Sequence, residues 1–288
     1  MRTDARTGTP PLSVDELREK AREIRRLILT SVHHAGAGHL GGPLSAADML
    51  AALYFRFLRV DPVDPAWAER DRLILSKGHS AIGLYATLAL RGYFPIEELQ
   101  TFDAIDSRLQ GHPDMTVTPG VDMSTGSLGQ GLSPGVGIAL GAKLKSLAFR
   151  TWVMLGDGEM QEGQVWEAIE VAARYGLDNL TAIVDNNRLP QYTWPDFGQR
   201  GRGRPIAALP EKWRAFGWHV IECDGHDMAE IIRAFDAATR ADSGPAVVIA
   251  HTVKGKGVSF MENEFAWHAK PLGDGDLARA LAEIEGAP

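Results

Sequence analysis

The 288-residue chain has a single cysteine, Cys223. That excludes an intrachain disulfide and fits a reducing compartment. No stretch approaches the ~20 consecutive apolar residues that a membrane-crossing helix needs. The N-terminal MRTDARTGTPPLS carries arginines but no apolar core, so it does not read as a secretory signal, and a cytoplasmic location is expected. There is no internal repeat and no low-complexity segment. A formal net charge of −7 with no basic block to offset it argues against nucleic acid as the main partner. The one local basic cluster, Arg200-Gly201-Arg202-Gly203-Arg204, reads as a solvated loop. An apolar share of 44% with 23% charged residues is that of a globular protein.

Residues 1–13 read as a flexible tail ending at a Ser13 helix cap, and 14–288 as a single domain. The first helix, VDELREKAREIRRLILTSVHHA, places Leu17, Ile24, Leu27 and Ile28 on one face. AADMLAALYFRFL, bounded by Pro43 before it, is a second helix. RLILS is a short strand and HSAIGLYATLALRGY a buried helix. Glycine and proline crowd residues 111–137, a loop running into the helix LSPGVGIALGAKLKSLA. From Thr151 strands and helices alternate: TWVML, EGQVWEAIEVAARYG, LTAIVD, LPEKWRAF, HVIEC, MAEIIRAFDAATR and AVVIAHTV. This alternation predicts an α/β fold, a parallel sheet flanked by helices.

Each predicted strand in this region ends in polar residues. Asp157 follows the first, Asn186 and Asn187 the second, Asp224-Gly225-His226-Asp227 the third and Lys254-Gly255-Lys256 the fourth. In a parallel sheet the carboxyl ends share the edge where ligands bind. A right-handed crossover brings Asp157 and Asn187 to that edge together. Their oxygen donors suit Mg²⁺ or Ca²⁺ rather than zinc. Gly158 leaves room for a phosphate, and the next helix is expected to aim its N-terminus there.

GDGEMQEGQVWEAIEVAARYGLDNLTAIVDNN resembles the thiamin diphosphate motif, in which an asparagine pair follows Gly-Asp-Gly after about thirty residues. The stretches AGHLGGPLSAADML, LSKGHSAIGLYA, STGSLGQGLSPGVGIALGAKL and KGKGVSFMENEFAWHAKPL narrow the resemblance to the transketolase family, over residues 15–272. The resemblance implies a thiamin-diphosphate-binding fold, with thiamin diphosphate and Mg²⁺ (or Ca²⁺) as cofactors. Asp157, Asn187 and the Leu189 carbonyl would hold the metal. Gly158, His79 and Lys254 would contact the diphosphate with His268 beside it, and Gly126, Ser127 and Leu128 would line the cofactor rings. His39, His112 and His268 would face the substrate and move protons, for which a side chain titrating near neutrality is suited. Glu162 would lie at a subunit interface near the aminopyrimidine. The electron sink belongs to the cofactor, so no nucleophilic Ser or Cys is needed.

The family's usual chain is more than twice as long. The resemblance therefore implies the N-terminal subunit of a split transketolase, transferring a two-carbon ketol unit from a ketose (phosphate) donor to an aldose acceptor. The partner would be a C-terminal transketolase subunit with the pyrimidine-binding and C-terminal domains, in a two plus two heterotetramer. That partner would supply the glutamate on the pyrimidine nitrogen and the main groups gripping a sugar phosphate. The alternatives are an α subunit of a 2-oxo acid dehydrogenase E1-like enzyme, or a non-catalytic cofactor-binding subunit. In the stretch after Asn187 the Asn-Arg-Leu start and Gln191 resemble one branch of the family, whereas Pro190 stands where glycine is usual, and Tyr192, Trp194 and Phe197 add aromatics that depart from the pattern. Among the remaining histidines, His33 and His34 read as structural or solvent-facing, His219 as packed, His226 as organising a loop and His251 as a satisfied core residue. Trp152, Trp166, Trp213 and Trp218 read as core.

Overall fold

A computed structural model describes residues 11–189 and 206–286. Most of the expected tail, Gln191, the departures at Pro190, Tyr192, Trp194 and Phe197, and the basic cluster from Arg200 to Arg204 lie outside the described residues. The chain forms two compact units, one from Met1–Ala68, Gly78–Ser124 and Val253–Pro288 and the other from Glu69–Lys77 and Thr125–Thr252, in each case over their described residues.

The first unit is helical. Helix α1 (Val14–Ala35) starts on a capping box. The Glu16 amide donates to Ser13 Oγ at 3.3 Å and the Ser13 amide to the Glu16 carboxylate at 2.7 Å, an arrangement worth about 1 kcal/mol. Gly36, at φ 65°, ends the helix in the left-handed conformation. Leu17, Ile24, Leu27 and Ile28 are buried, against α2 (Gly41–Ala52), α3 (Ala81–Arg91) and α8 (Asp274–Gly286). Helix α2 begins at Gly41, so Pro43 lies inside its first turn rather than before it. A proline there is tolerated because the first amides have no partner within the helix. A π turn, Leu53–Phe57, extends this helix. Between α1 and α2, Arg25 pairs with Asp48 through both guanidinium Nη atoms, and both residues are buried.

The second unit holds a five-stranded sheet: β1 (Arg72–Leu75), β2 (Thr151–Gly156), β3 (Leu180–Asn186), β4 (His219–Asp224) and β5 (Ala246–His251). The order is β1-β2-β3-β5-β4 and every neighbouring pair is parallel. All seven residues of β3 are buried, as expected for a central strand covered on both faces. Helices α4 (Leu132–Leu144), α5 (Gly163–Arg174), α6 (Leu209–Ala215) and α7 (Met228–Thr239) complete the unit. Helix α4 stops at Leu144, short of the Ala148 that the apolar pattern suggested. Trp152 packs at a tilt against Phe235 at 5.3 Å, and Trp213 edge-on against Trp218 at 4.7 Å, between ring centroids. These three tryptophans are core, whereas Trp166 is half-buried and donates its indole N–H to the Met160 carbonyl.

Register places the polar residues. Gly156 pairs with Asp185, Asp185 with Ala250, and Asn186 and Asp224 both with His251. The residues that follow therefore leave the sheet along one edge.

Candidate functional site

Asp157 leaves β2 and is 7% exposed, and Asn187 leaves the adjacent β3 and is 9% exposed. The Asp157 carboxylate accepts the Gly158 amide at 2.7 Å and the Arg188 amide from across the gap. The Leu189 amide donates to Asn187 Oδ1 at 3.1 Å. Arg188 adopts φ 59° to make this turn, a conformation uncommon outside glycine. Among the described residues, no three His, Cys, Asp or Glu side chains gather as a metal site. The set expected here draws instead on one carboxylate, one amide oxygen and one backbone carbonyl. Those are hard oxygen donors on adjacent strand ends, which fits Mg²⁺ or Ca²⁺. It is a 3-10 turn, Glu159–Gln161 with Gly158 at its cap, that follows Asp157; α5 starts only at Gly163, which corrects the expected helix N-terminus.

Behind this edge lie charges that sequence reasoning missed. Lys77, just after β1, donates its ammonium to Asp185, which also accepts the Thr252 hydroxyl. Lys77 is 2% exposed and Asp185 fully buried, so the pair ties together the ends of β1, β3 and β5. Glu159, 2% exposed, accepts the amides of Gly129 at 2.7 Å and Gly156 at 3.0 Å, together with the Ser76 hydroxyl. Burial pushes its carboxyl up, opposed by those hydrogen bonds and by the Lys77 charge. The Gly-Asp-Gly-Glu string was visible in the sequence, but only the fold shows that its last carboxylate turns inward. Gly126 is half-buried, Ser127 and Leu128 are exposed, and Gln164 donates to the Leu128 carbonyl at 3.2 Å. Glu162 is exposed beside this loop.

In the helical unit four histidines meet. His39, His79 and His268 form a triangle with ring centroids 5.2 Å apart on each side, and His112 lies 6.3 Å from His39. Sequence separations of more than two hundred residues are closed by backbone bonds. The Leu40 amide donates to the His268 carbonyl at 3.3 Å, and the Gly255 amide to the Gly41 carbonyl at 3.0 Å, which brings Lys254 to the start of α2. Lys254 and His268 are buried. Burial lowers the His39 pKa, the His112 and Lys254 charges lower it further, and Asp103 opposes them. A lowered pKa favours the neutral imidazole, which has one nitrogen to donate and one to accept a hydrogen bond.

The other histidines serve elsewhere. His33 bonds Asp274 at 2.7 Å, and the His226 amide donates to Asp224 within its turn at 2.8 Å. His219 is exposed, bonded to Ser243 at 3.0 Å, and is not packed. His251 is not core: it is half-exposed, bonded through Nε2 to Glu222 at 3.1 Å and through Nδ1 to Asn186 and Arg188 at 3.2 Å. Burial, followed by the nearby carboxylates, pushes the Cys223 thiol up to about 12, so it is no nucleophile.

Residues 17–285 match the family model described as transketolase, thiamine diphosphate binding domain. The chain is 46% identical to the 6-deoxy-6-sulfo-D-fructose transketolase subunit SqwG of Clostridium sp. (strain MSTE9), covering 94% of this chain and 96% of that one. It is 41% identical to one subunit of the apulose-4-phosphate transketolase of Phocaeicola vulgatus, covering 89% of each. The crystal structure of transketolase from Campylobacter jejuni superposes with a TM-score of 0.86 at 32% identity, covering 95% of this chain and 43% of that one. The chain therefore spans less than half the length of the solved transketolase.

Proposed function

We propose that this chain, which belongs to the transketolase family and carries its thiamin-diphosphate-binding domain, is the N-terminal subunit of a two-component transketolase. It is a transferase subunit that moves a two-carbon ketol unit from a ketose to an aldose together with a partner chain. The partner is a C-terminal subunit supplying the pyrimidine-binding domain, two copies of each chain forming the enzyme in the cytoplasm. The observation that carries this reading is the buried oxygen pair, Asp157 and Asn187, on the ends of adjacent parallel strands. Residues 14–288 act as one cofactor-binding domain, in line with a family model that runs through both compact units.

Asp157, Asn187 and the Leu189 carbonyl hold Mg²⁺ (Ca²⁺ would also suit the donors), and Gly158, His79 and Lys254 hold the diphosphate, the lysine as a buried cation. Gly126, Ser127 and Leu128 line the cofactor rings. When bound, thiamin diphosphate supplies the nucleophilic carbon and the electron sink. His39, His112 and His268 then bind the sugar hydroxyls and carry protons to and from their oxygens, while the closely packed imidazoles restrict water. Glu162, exposed, sits at the interface with the partner. The donor is a ketose bearing an acid group, since the relatives above are named for a sulfo-sugar and a sugar phosphate. Every relative named is a transketolase, which favours this reading over a 2-oxo acid dehydrogenase.

The test is to purify the chain gently from its own cells and weigh what accompanies it. A stoichiometric partner that yields ketol transfer with thiamin diphosphate and Mg²⁺, lost in Asp157→Ala, supports the reading. A chain that purifies alone and transfers nothing sinks it.

A further inference from the structure

The glycine-rich loop that opens α4 is tied to one buried acid. Glu159 Oε1 accepts the Gly129 amide at 2.7 Å and the Ser76 hydroxyl, and Oε2 accepts the Gly156 amide at 3.0 Å. Ser76 Oγ in turn accepts the Gly131 amide at 3.1 Å. Two amides of the loop thus end on the same carboxylate, one directly and one through a hydroxyl. Three of the roughly four acceptor positions of a carboxylate are filled by the framework, which leaves Glu159 poorly placed to be a metal ligand although it follows Asp157 by two residues. The glycines are what let the loop come so close. A Cβ on Gly131 would lie 2.4 Å from Ser76 Oγ and 2.8 Å from its Cα, and one on Gly129, where φ is 85°, 2.6 Å from Glu162 Cβ. The loop has other ties: Thr125 Oγ1 donates to the Leu75 carbonyl at 2.7 Å, Gln164 to the Leu128 carbonyl at 3.2 Å, and the Gln130 amide to the Ser127 carbonyl at 3.4 Å. Among the described residues, Glu159 is the carboxylate on which the amides of Gly129 and, through Ser76, Gly131 converge in the turn that follows Gly126, Ser127 and Leu128.

We propose that Glu159 is the positioning residue for this loop, setting Gly126–Leu128 against the thiamin rings while taking no part in gripping the diphosphate. The proposal rests on the reading of the chain as one that binds thiamin diphosphate, and adds a residue to it. Because the acid acts through the loop, its loss separates two ligands that share the diphosphate. Thiamin diphosphate needs both the loop and the metal edge; inorganic diphosphate with Mg²⁺ needs only the edge.

The experiment compares wild type, Glu159→Ala, Glu159→Gln and Ser76→Ala, each purified with whatever chain accompanies it. Calorimetry with Mg²⁺ reports binding of thiamin diphosphate and of inorganic diphosphate, and hydrogen exchange reports the amides of Gly129 and Gly131. Glu159→Ala is expected to weaken thiamin diphosphate about tenfold or more while inorganic diphosphate stays within about twofold. Exchange at both glycines should accelerate, as should that of Gly156 at the end of β2, with the rest of β2 and β3 unchanged. Glu159→Gln, which keeps one acceptor oxygen, should fall between. If Glu159→Ala does not fold, Ser76→Ala cuts the Gly131 link alone and should shift the same two readouts in the same direction by less. Equal losses for both ligands, or unchanged exchange at the two glycines, overturn the positioning role and leave the cofactor reading standing. A wild-type protein that binds inorganic diphosphate but not thiamin diphosphate overturns both.

Discussion

The backbone N–H of Arg188 donates to the carboxylate of Asp157. The residue that follows β2 is thereby fastened to the residue after Asn187, and the turn leading to Leu189 is built on the proposed metal ligand itself. A carboxylate oxygen can take two donors, so the amides of Gly158 and Arg188 leave room for a cation.

Asp157 therefore has two tasks, which two substitutions separate. Asp157→Asn keeps an oxygen for the Arg188 amide but removes the charge. It should weaken Mg²⁺-dependent binding of thiamin diphosphate by about tenfold or more, one lost charge-assisted contact, with little change in melting temperature. Asp157→Ala should weaken binding further and also speed hydrogen exchange at Arg188. Calorimetric titration over a series of Mg²⁺ concentrations checks both. An alanine variant that binds like wild type would remove Asp157 from the site.

How much of this was legible beforehand differs by element. The strands from Thr151 onward were readable because parallel strands buried on both faces are continuous apolar runs, and Asp157 and Asn187 stood out because they follow two such runs. Asp185 stands in the same string as Asn187, yet its partner Lys77 lies 108 residues away in sequence, and no local pattern announces such a pair. The triangle of His39, His79 and His268 had no signature beyond the family resemblance, since its members come from three separate segments. Helix α8 went unread because its residues are mostly exposed, with Ala280 and Ile284 its only buried side chains. His219 was misjudged because β4 is an edge strand and exposes much of its length, and His251 because it is the last residue of β5, where the strand leaves the buried sheet.

The buried Arg25–Asp48 pair makes a stability prediction within the helical unit. Removing one partner strands the other charge, so Arg25→Met or Asp48→Leu alone should cost about 3–5 kcal/mol. Arg25→Met combined with Asp48→Leu should recover much of that loss, because no unpaired charge remains. Urea denaturation of the single and double variants measures the coupling. A double variant as unstable as the sum of its singles would count against the pair.

Tyr85 supports a second expectation. Its hydroxyl donates to the carbonyls of Gln110 at 3.0 Å and His112 at 3.2 Å. Burial, aided by Asp114 and Asp103, pushes the phenol's pKa up, so it remains a donor across the working range. Tyr85→Phe should cost about 1 kcal/mol of stability. It should also lower the rate of ketol transfer more than it weakens thiamin diphosphate binding, because the segment it steadies carries His112. Equal effects on the two would assign Tyr85 to packing alone.

His39 gives the pH prediction. Its folded-state pKa lies below the ordinary value, through burial first and then through the His112 and Lys254 charges, with Asp103 opposing. In the window between that lowered value and about 6.5 the unfolded chain carries a proton that the folded chain does not. Stability should therefore fall as pH drops through the window, reach its full loss below the folded-state pKa, and be unaffected by His39 above about 7. His39→Gln, which cannot be protonated, should flatten this part of the stability curve and leave the acid limb due to carboxylates in place. Thermal melts of both proteins between about pH 5 and 8 measure it. A wild-type curve that rises toward acid in this window would mean that His39 is charged in the folded protein, and with it the neutral proton carrier proposed for the site would be lost.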